Sequence, residues 1–91
     1  MNVEEMLSKI CMKFHCSCDD VKGRSKQGNV ADARRLFCYI MRKDGMHPNE
    51  IGKMIFRDRT TVIGAIKKTV SLLEVKDKET IEILKSLDIE I

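Results

Sequence analysis

Apolar residues recur every three or four positions through most of this 91-residue chain. Val3, Met6, Leu7, Ile10, Cys11 and Phe14 make one stripe. Val30, Ala33, Leu36/Phe37, Ile40 and Met41 make a second, and Ile51, Met54 and Ile55 a short third. Val62, Ile63, Ala65, Ile66, Val70 and Leu73 make a fourth, and Ile81, Leu84 and Leu87 a fifth. That period puts each set on one face of an α-helix. One proline and five glycines interrupt the chain. We therefore expect an all-α fold, a small helical cluster forming a single domain over residues 1–91 around one small core.

The breaks between stripes set the boundaries. The first helix is expected from about Asn2 to His15. Ser17-Cys18-Asp19-Asp20 then offers a turn and a cap for one helical turn through Val21. Lys22–Gly28 reads as a flexible basic loop. Asn29 is the expected N-cap of a central helix running through about Lys43, closed by Asp44-Gly45 with Gly45 left-handed. Pro48 suits the first turn of the next helix. A four-residue turn containing Phe56 comes next, and Asp58 caps a helix reaching about Val75. Asp77 opens a last helix, to about residue 88, acidic on its outside. Its apolar residues are expected to bury against Val3, Met6 or Leu7 of the first helix.

The two helices either side of Phe56 have the makings of a helix-turn-helix. Gly52 and Ala65 are small enough for a close approach. Ile51, Ile55, Val62 and Ile66 can lock the second helix to the core. Arg57, Arg59, Thr60 and Thr61 put exposed donors at its start, where a recognition helix meets base edges. Arg59 can address guanine O6 and N7 with two donors, and the Thr60 methyl can sit against a thymine methyl. Asp58 can accept from cytosine N4 or cap the helix; capping is the simpler role. Lys67 and Lys68, two turns on, can reach phosphates, as can Arg24 in the basic loop and Arg57 before the second helix.

The net charge of +3 conceals a division. Residues 22–68 hold twelve Lys/Arg against four acids, a balance of +8, while residues 1–21 carry −2 and residues 69–91 carry −3. A basic middle between acidic ends is the footprint of a nucleic-acid face. There is no signal-peptide pattern, and the longest apolar run, Leu36–Met41, is far short of a membrane span. A cytoplasmic protein with no membrane partner is expected, its thiols reduced. Cys11, His15, Cys16 and Cys18 crowd together, but their spacing fits no common zinc pattern, so no metal and no cofactor is expected. His15 and His47 belong to no nucleophile–base–orienter set, which argues against an enzyme.

The stretch Asn49-Glu50-Ile51-Gly52 followed by Arg57-Asp58-Arg59-Thr60-Thr61-Val62-Ile63-Gly64-Ala65 resembles the signature of the C-terminal DNA-binding domain of the bacterial replication initiator DnaA. Ile10–Phe14, the basic segment Lys22–Lys26 and Val30–Arg34 extend the resemblance over roughly residues 3–75. It implies a Trp-repressor-like helical cluster containing a helix-turn-helix. It also implies that Lys26 enters the minor groove, that Asn49, Asp58, Arg59 and Thr60 face bases, and that Arg34, Arg35, Arg42, Thr61 and Lys68 lie at phosphates. Several positions depart from the family pattern. Lys26 stands where the family usually has Arg, Arg59 and Gly64 where it has His, and the turn is one residue shorter. The chain has no G-x-x-x-x-G-K-[ST], hence no P-loop. The initiating Met and the helix beyond the motif suggest a complete small protein.

The reading that unites these features is sequence-specific binding of double-stranded DNA by a small replication or transcription regulator, bacterial or phage, without ATPase activity. The alternative is a protein-interaction module that keeps the fold. It would form a homodimer or hold a replication protein through the Ile81/Leu84/Leu87 helix.

Overall fold

The computed structural model describes residues 2–90. Six helices and no strand occur among them: α1 Val3–Lys13, α2 Cys18–Lys22, α3 Gly28–Lys43, α4 Pro48–Ile55, α5 Arg59–Glu74 and α6 Lys78–Ser86. The 16-residue α3 is central, packing against α1, α2, α4 and α5. None of the helices is long and apolar enough to cross a membrane.

Most helix starts are fixed by a side chain. The Asn2 amide oxygen accepts from Glu5 N–H at 3.1 Å. Ser17 and Asp20 form a reciprocal capping box at 3.0 and 3.1 Å. His47 Nδ1 accepts from Asn49 N–H at 3.1 Å, with Pro48 at the first helical position. Asp58 and Asp77 accept from Thr61 N–H at 2.7 Å and Thr80 N–H at 3.1 Å. The exception corrects the expected cap at Asn29. Helix α3 starts two residues earlier, with Gln27 at the cap position and no side-chain cap bond. The Asn29 amide instead donates to the Phe14 carbonyl at 2.9 Å and to that of His15 at 3.5 Å. The end of α1 leaves carbonyls without intrahelical donors, and Asn29 serves them from the first turn of α3.

The ends of α1, α3, α4, α5 and α6 share one device. Cys16 N–H returns to Cys11 O, Met46 to Met41, Arg57 to Gly52, Asp77 to Leu72 and Ile89 to Leu84, at 2.8–3.0 Å. The residue before each donor is left-handed: His15, Gly45, Phe56, Lys76 and Asp88. This is the Schellman pattern, which brings the donor residue's side chain back onto the residue five before it. Cys11, Met41 and Leu84 are buried, and Cys16, Met46 and Ile89 pack half-buried against the core. Only Gly45 announces its stop by residue type; the other four stops carry no such mark in the sequence.

The stripes of α1, α3 and α4 enter one core, with Leu7, Ile10, Phe37, Ile40, Met41, Ile51 and Ile55 sealed from solvent. Two stripes are phased differently from expectation. In α5 the buried row is Val62, Ala65, Ile66, Thr69 and Leu73, while Val70 is exposed. Thr69 tolerates complete burial because its hydroxyl donates to Ala65 O at 3.0 Å. In α6, Leu84 is fully buried with Thr80, Ile83 and Leu87 beside it, and Ile81 lies at the margin. The Thr80 hydroxyl donates to Asp77 at 2.6 Å, which makes its burial inexpensive. Helix α6 packs on α5. It borders Phe14 and Leu36, and its end shares a surface hollow with Lys9, Met12 and Lys13.

Leu84 joins α6 to the common core, so Leu84→Ala should cost about 2–5 kcal/mol in urea unfolding at unchanged molecular mass. A loss below about 1 kcal/mol would show α6 to be peripheral.

Hydrogen bonds from Thr61 to Asp58 and from Thr80 to Asp77 hold both carboxylates below their ordinary range. A depressed folded-state pKa contributes stability above the unfolded value and loses it as pH falls through the folded one. Stability should therefore decline below about pH 4. The double variant Asp58→Asn/Asp77→Asn keeps a good capping residue and should flatten that acid decline in urea midpoints taken across the acid range. An unchanged acid limb would assign the decline to other carboxylates.

Candidate nucleic-acid interface

Helices α4 and α5 are joined by three residues, 56–58, one fewer than the sequence suggests. Gly52 makes so short a turn possible. A Cβ there would run into the Arg57 carbonyl oxygen and lie 3.5 Å from Val62 Cγ2. Arg57 N–H donates to Gly52 O at 2.9 Å, closing α4. Ile51, Ile55 and Val62 are fully buried on the inner side and Ile66 is half-buried, so α5 is seated as the sequence anticipates. Ala65, the other small residue considered, lines a hollow beside α3 and takes no part in the turn.

The outer side of α5 presents Thr60, Gly64 and Lys67 along one row and Thr61 and Lys68 along the next, all exposed. Arg59 is exposed at the first helical position. Asp58 is engaged as the N-cap, the simpler of its two roles. Asn49 is exposed in the first turn of α4.

The basic loop is tied down. The Arg57 guanidinium donates to the carbonyls of Ile55 (3.2 Å), Phe56 (3.1 Å) and, across the gap between elements, Gly23. Arg34, on α3, donates from Nε to Val21 O at 3.0 Å and from Nη2 to Asp20 O and Ser25 O, both at 3.4 Å. Burial and the neighbouring Arg57 charge lower the Arg34 pKa, but an arginine so placed stays charged at neutral pH. Arg24 and Lys26 are exposed on the loop. With Ser25, Ala31, Arg34 and Arg57 they line one hollow. Arg34 also borders a second hollow with Thr61 and Lys68. Two hollows that share Ala31 and Arg34 thus place basic side chains from the loop to the middle of α5.

Two ion pairs occur among the described residues: Lys22 with Glu4 at 3.8 Å and Arg35 with Asp32 at 2.7 Å. The other ten cations of residues 22–68 have no carboxylate partner among those residues, so their field is not locally cancelled. Arg35 borders that second hollow too, and on its other side shares one with Asp32, Asp77 and Thr80, beside the start of α6. Arg42 is exposed and donates weakly to Met46 O at 3.5 Å. Sequence reasoning misses the internal bonds of Arg34 and Arg57. Their acceptors lie up to 34 positions away, where no local pattern reaches.

The thiols gather at the end of α1, with Cys11 in hydrogen-bonding reach of Cys16 and Cys18. Burial raises the pKa of Cys11 and Cys16, and pushes Cys38 up to about 12. They are protonated core thiols at neutral pH. Among the described residues, no three His, Cys, Asp or Glu side chains are placed to share a metal ion.

Residues 3–69 match the family described as the bacterial dnaA protein helix-turn-helix. The chain is similar to the chromosomal replication initiator proteins DnaA of several bacteria. Identity is 29% over 83 residues with that of Mycoplasma pneumoniae, covering 90% of this chain and 19% of the relative. It is 29% over 86 residues with that of Gloeobacter violaceus, covering 92% and 19%, and 26% over 76 residues with that of Campylobacter jejuni, covering 81% and 17%. The chain spans about a fifth of the length of these relatives. The matched residues run from α1 into α5 and take in the Gly52 turn and the basic loop, so the chain belongs to the bacterial DnaA helix-turn-helix family, a DNA-binding module.

Proposed function

We propose that this chain binds double-stranded DNA sequence-specifically, as a small replication or transcription regulator whose action needs no nucleotide hydrolysis by these residues. The observation that carries the reading is the set of basic side chains, most without an ion-pair partner among the described residues, that lines two adjoining hollows from the basic loop to α5 beside a seated helix-turn-helix. Arg59 and Thr60 read base edges in the major groove, with Asn49 alongside. Asp58 shapes the helix start and stands near the same edges. Lys26 enters the minor groove, where a lysine is less favoured than an arginine in narrow A·T-rich sequence. Arg24, Arg42, Thr61, Lys67 and Lys68 lie at phosphates. Lys26, Arg59 and Gly64 all differ from the family's usual residues at base-facing or helix-face positions, so the preferred site differs from the family's own. Selection from random duplex DNA should converge on one motif; no enrichment would defeat the reading. The protein-interaction alternative relies on the apolar side of α6. Thr80 and Leu84 on that side are buried in the core of the same chain, with Ile83 and Leu87 half-buried against it, which leaves less of it for a partner.

Affinity should fall steeply with salt. About six phosphate contacts give a log–log slope of roughly −5, read by titrating a labelled duplex at several salt concentrations. A flat response would be incompatible with a phosphate-dominated interface.

Base-facing and phosphate-facing residues should separate. Arg59→Ala should relax preference at one base position and cost about 1–3 kcal/mol on the preferred duplex. Lys68→Ala should weaken preferred and random duplexes alike. If both variants lose affinity uniformly, Arg59 contacts only phosphate.

A further inference from the structure

We infer that Arg57 and Arg34 are positioning residues that hold the basic loop in its DNA-ready course before DNA arrives. The inference rests on the DNA-binding reading above. It begins with donor accounting. A guanidinium has five N–H donors, and each of these two arginines directs three hydrogen bonds to backbone carbonyls. Arg57 serves Ile55 and Phe56, carbonyls left free where α4 ends, and with its other arm reaches Gly23. Arg34 serves Asp20 and Val21 near the end of α2 and reaches Ser25 with the same Nη2. Each cation therefore stands at the negative end of a helix, where a positive charge is favoured. Each also pins one residue of the loop.

The pinned residues are 23 and 25. The cationic residues that remain free are 24 and 26, exposed and without an ion-pair partner among the described residues. The loop is thus anchored and charged in alternation. The anchor from Arg57 comes from the helix-turn-helix junction itself, two residues before Arg59. Loop and recognition helix are consequently fixed to one another by a single side chain. A segment ordered on folding need not be ordered on binding, and such preorganisation improves affinity without adding a contact to the partner.

Lysine at position 57 separates the two roles. It keeps the charge that a phosphate contact needs, but its ammonium lacks the planar fork that spans three carbonyls. Arg57→Lys should weaken the preferred duplex about tenfold while leaving the salt slope within about half a unit of the parent. Lys26→Ala should weaken the parent protein but have little further effect in the Arg57→Lys background, because the loop is already unanchored. In the free protein, amide hydrogen exchange of residues 23–27 should quicken in Arg57→Lys while α3 and α5 keep their protection. Arg34→Lys, with the same readouts, stands in should Arg57→Lys not fold.

Equal Lys26→Ala losses in both backgrounds, with parent-like affinity for Arg57→Lys, would overturn the inference. So would unchanged loop exchange. Absence of any duplex binding by the parent protein would defeat the DNA-binding reading and with it the positioning role. The exchange measurement would then still decide whether Arg57 holds the loop.

Discussion

The interface depends on one close approach, Gly52 against the carbonyl of Arg57. Without a Cβ at position 52, the chain reverses in three residues and α5 leaves at an angle that buries Val62 and exposes Arg59, Thr60 and Thr61. The same junction places the Arg57 side chain where it can reach Gly23. A single steric allowance thus sets both the orientation of the recognition helix and the anchor point of the basic loop. Any side chain at 52 would meet backbone, which cannot move aside as a flexible side chain can. The cost of relaxing it would fall on the presentation of the donors as well as on stability.

Electrostatics explain why the interface needs such firm mechanical support. Ten cations without carboxylate partners among the described residues repel one another, most strongly around the hollow shared by Arg24, Lys26, Arg34 and Arg57. Compact folding of a one-signed surface is disfavoured by that self-repulsion. The structure answers by setting Arg34 and Arg57 against carbonyl dipoles at helix ends and by pairing Arg35 with Asp32. The exposed set stays unpaired, its charge screened by water and open to neutralisation by phosphate. The acidic ends of the chain enter this balance at two points among the described residues: Glu4 pairs with Lys22, and Asp77 shares a hollow with Arg35.

The parts of this fold legible in the sequence are those encoded locally. The apolar period gives the helices of the described residues, and the Asp58, Asp77 and Ser17 caps come from side chains that compete for free N–H groups over three residues. The illegible parts depend on tertiary partners. Asn29 looks like a cap by type but is committed to the end of α1. Thr69 and Thr80 look polar by type, yet local hydrogen bonds allow them to be buried, which rotates the apparent faces of α5 and α6. At the site, the exposed donors of α5 are readable because a helix-turn-helix fixes which positions face outward. The roles of Arg34 and Arg57 are not, because composition records a guanidinium's charge and says nothing about where its donors are used.

The helix ends carry the same lesson into energetics. Four helices stop on a left-handed residue other than glycine, a conformation costing roughly 1–2 kcal/mol per residue for an L-amino acid. Glycine at those positions would remove the cost, so local preference does not set the stops. The return bond to the residue five before sets them, aided by the burial of Cys16 and Ile89 where the chain turns inward. Phe56 is the telling case, since it is left-handed and 71% exposed. No burial of its own ring offsets its strain. Its conformation is maintained by its neighbours: Gly52 accepting from Arg57, and the Arg57 guanidinium returning to the Phe56 carbonyl. The turn that presents the recognition helix is therefore stable because Arg57 completes it, and the residue that completes the turn is the one that anchors the loop.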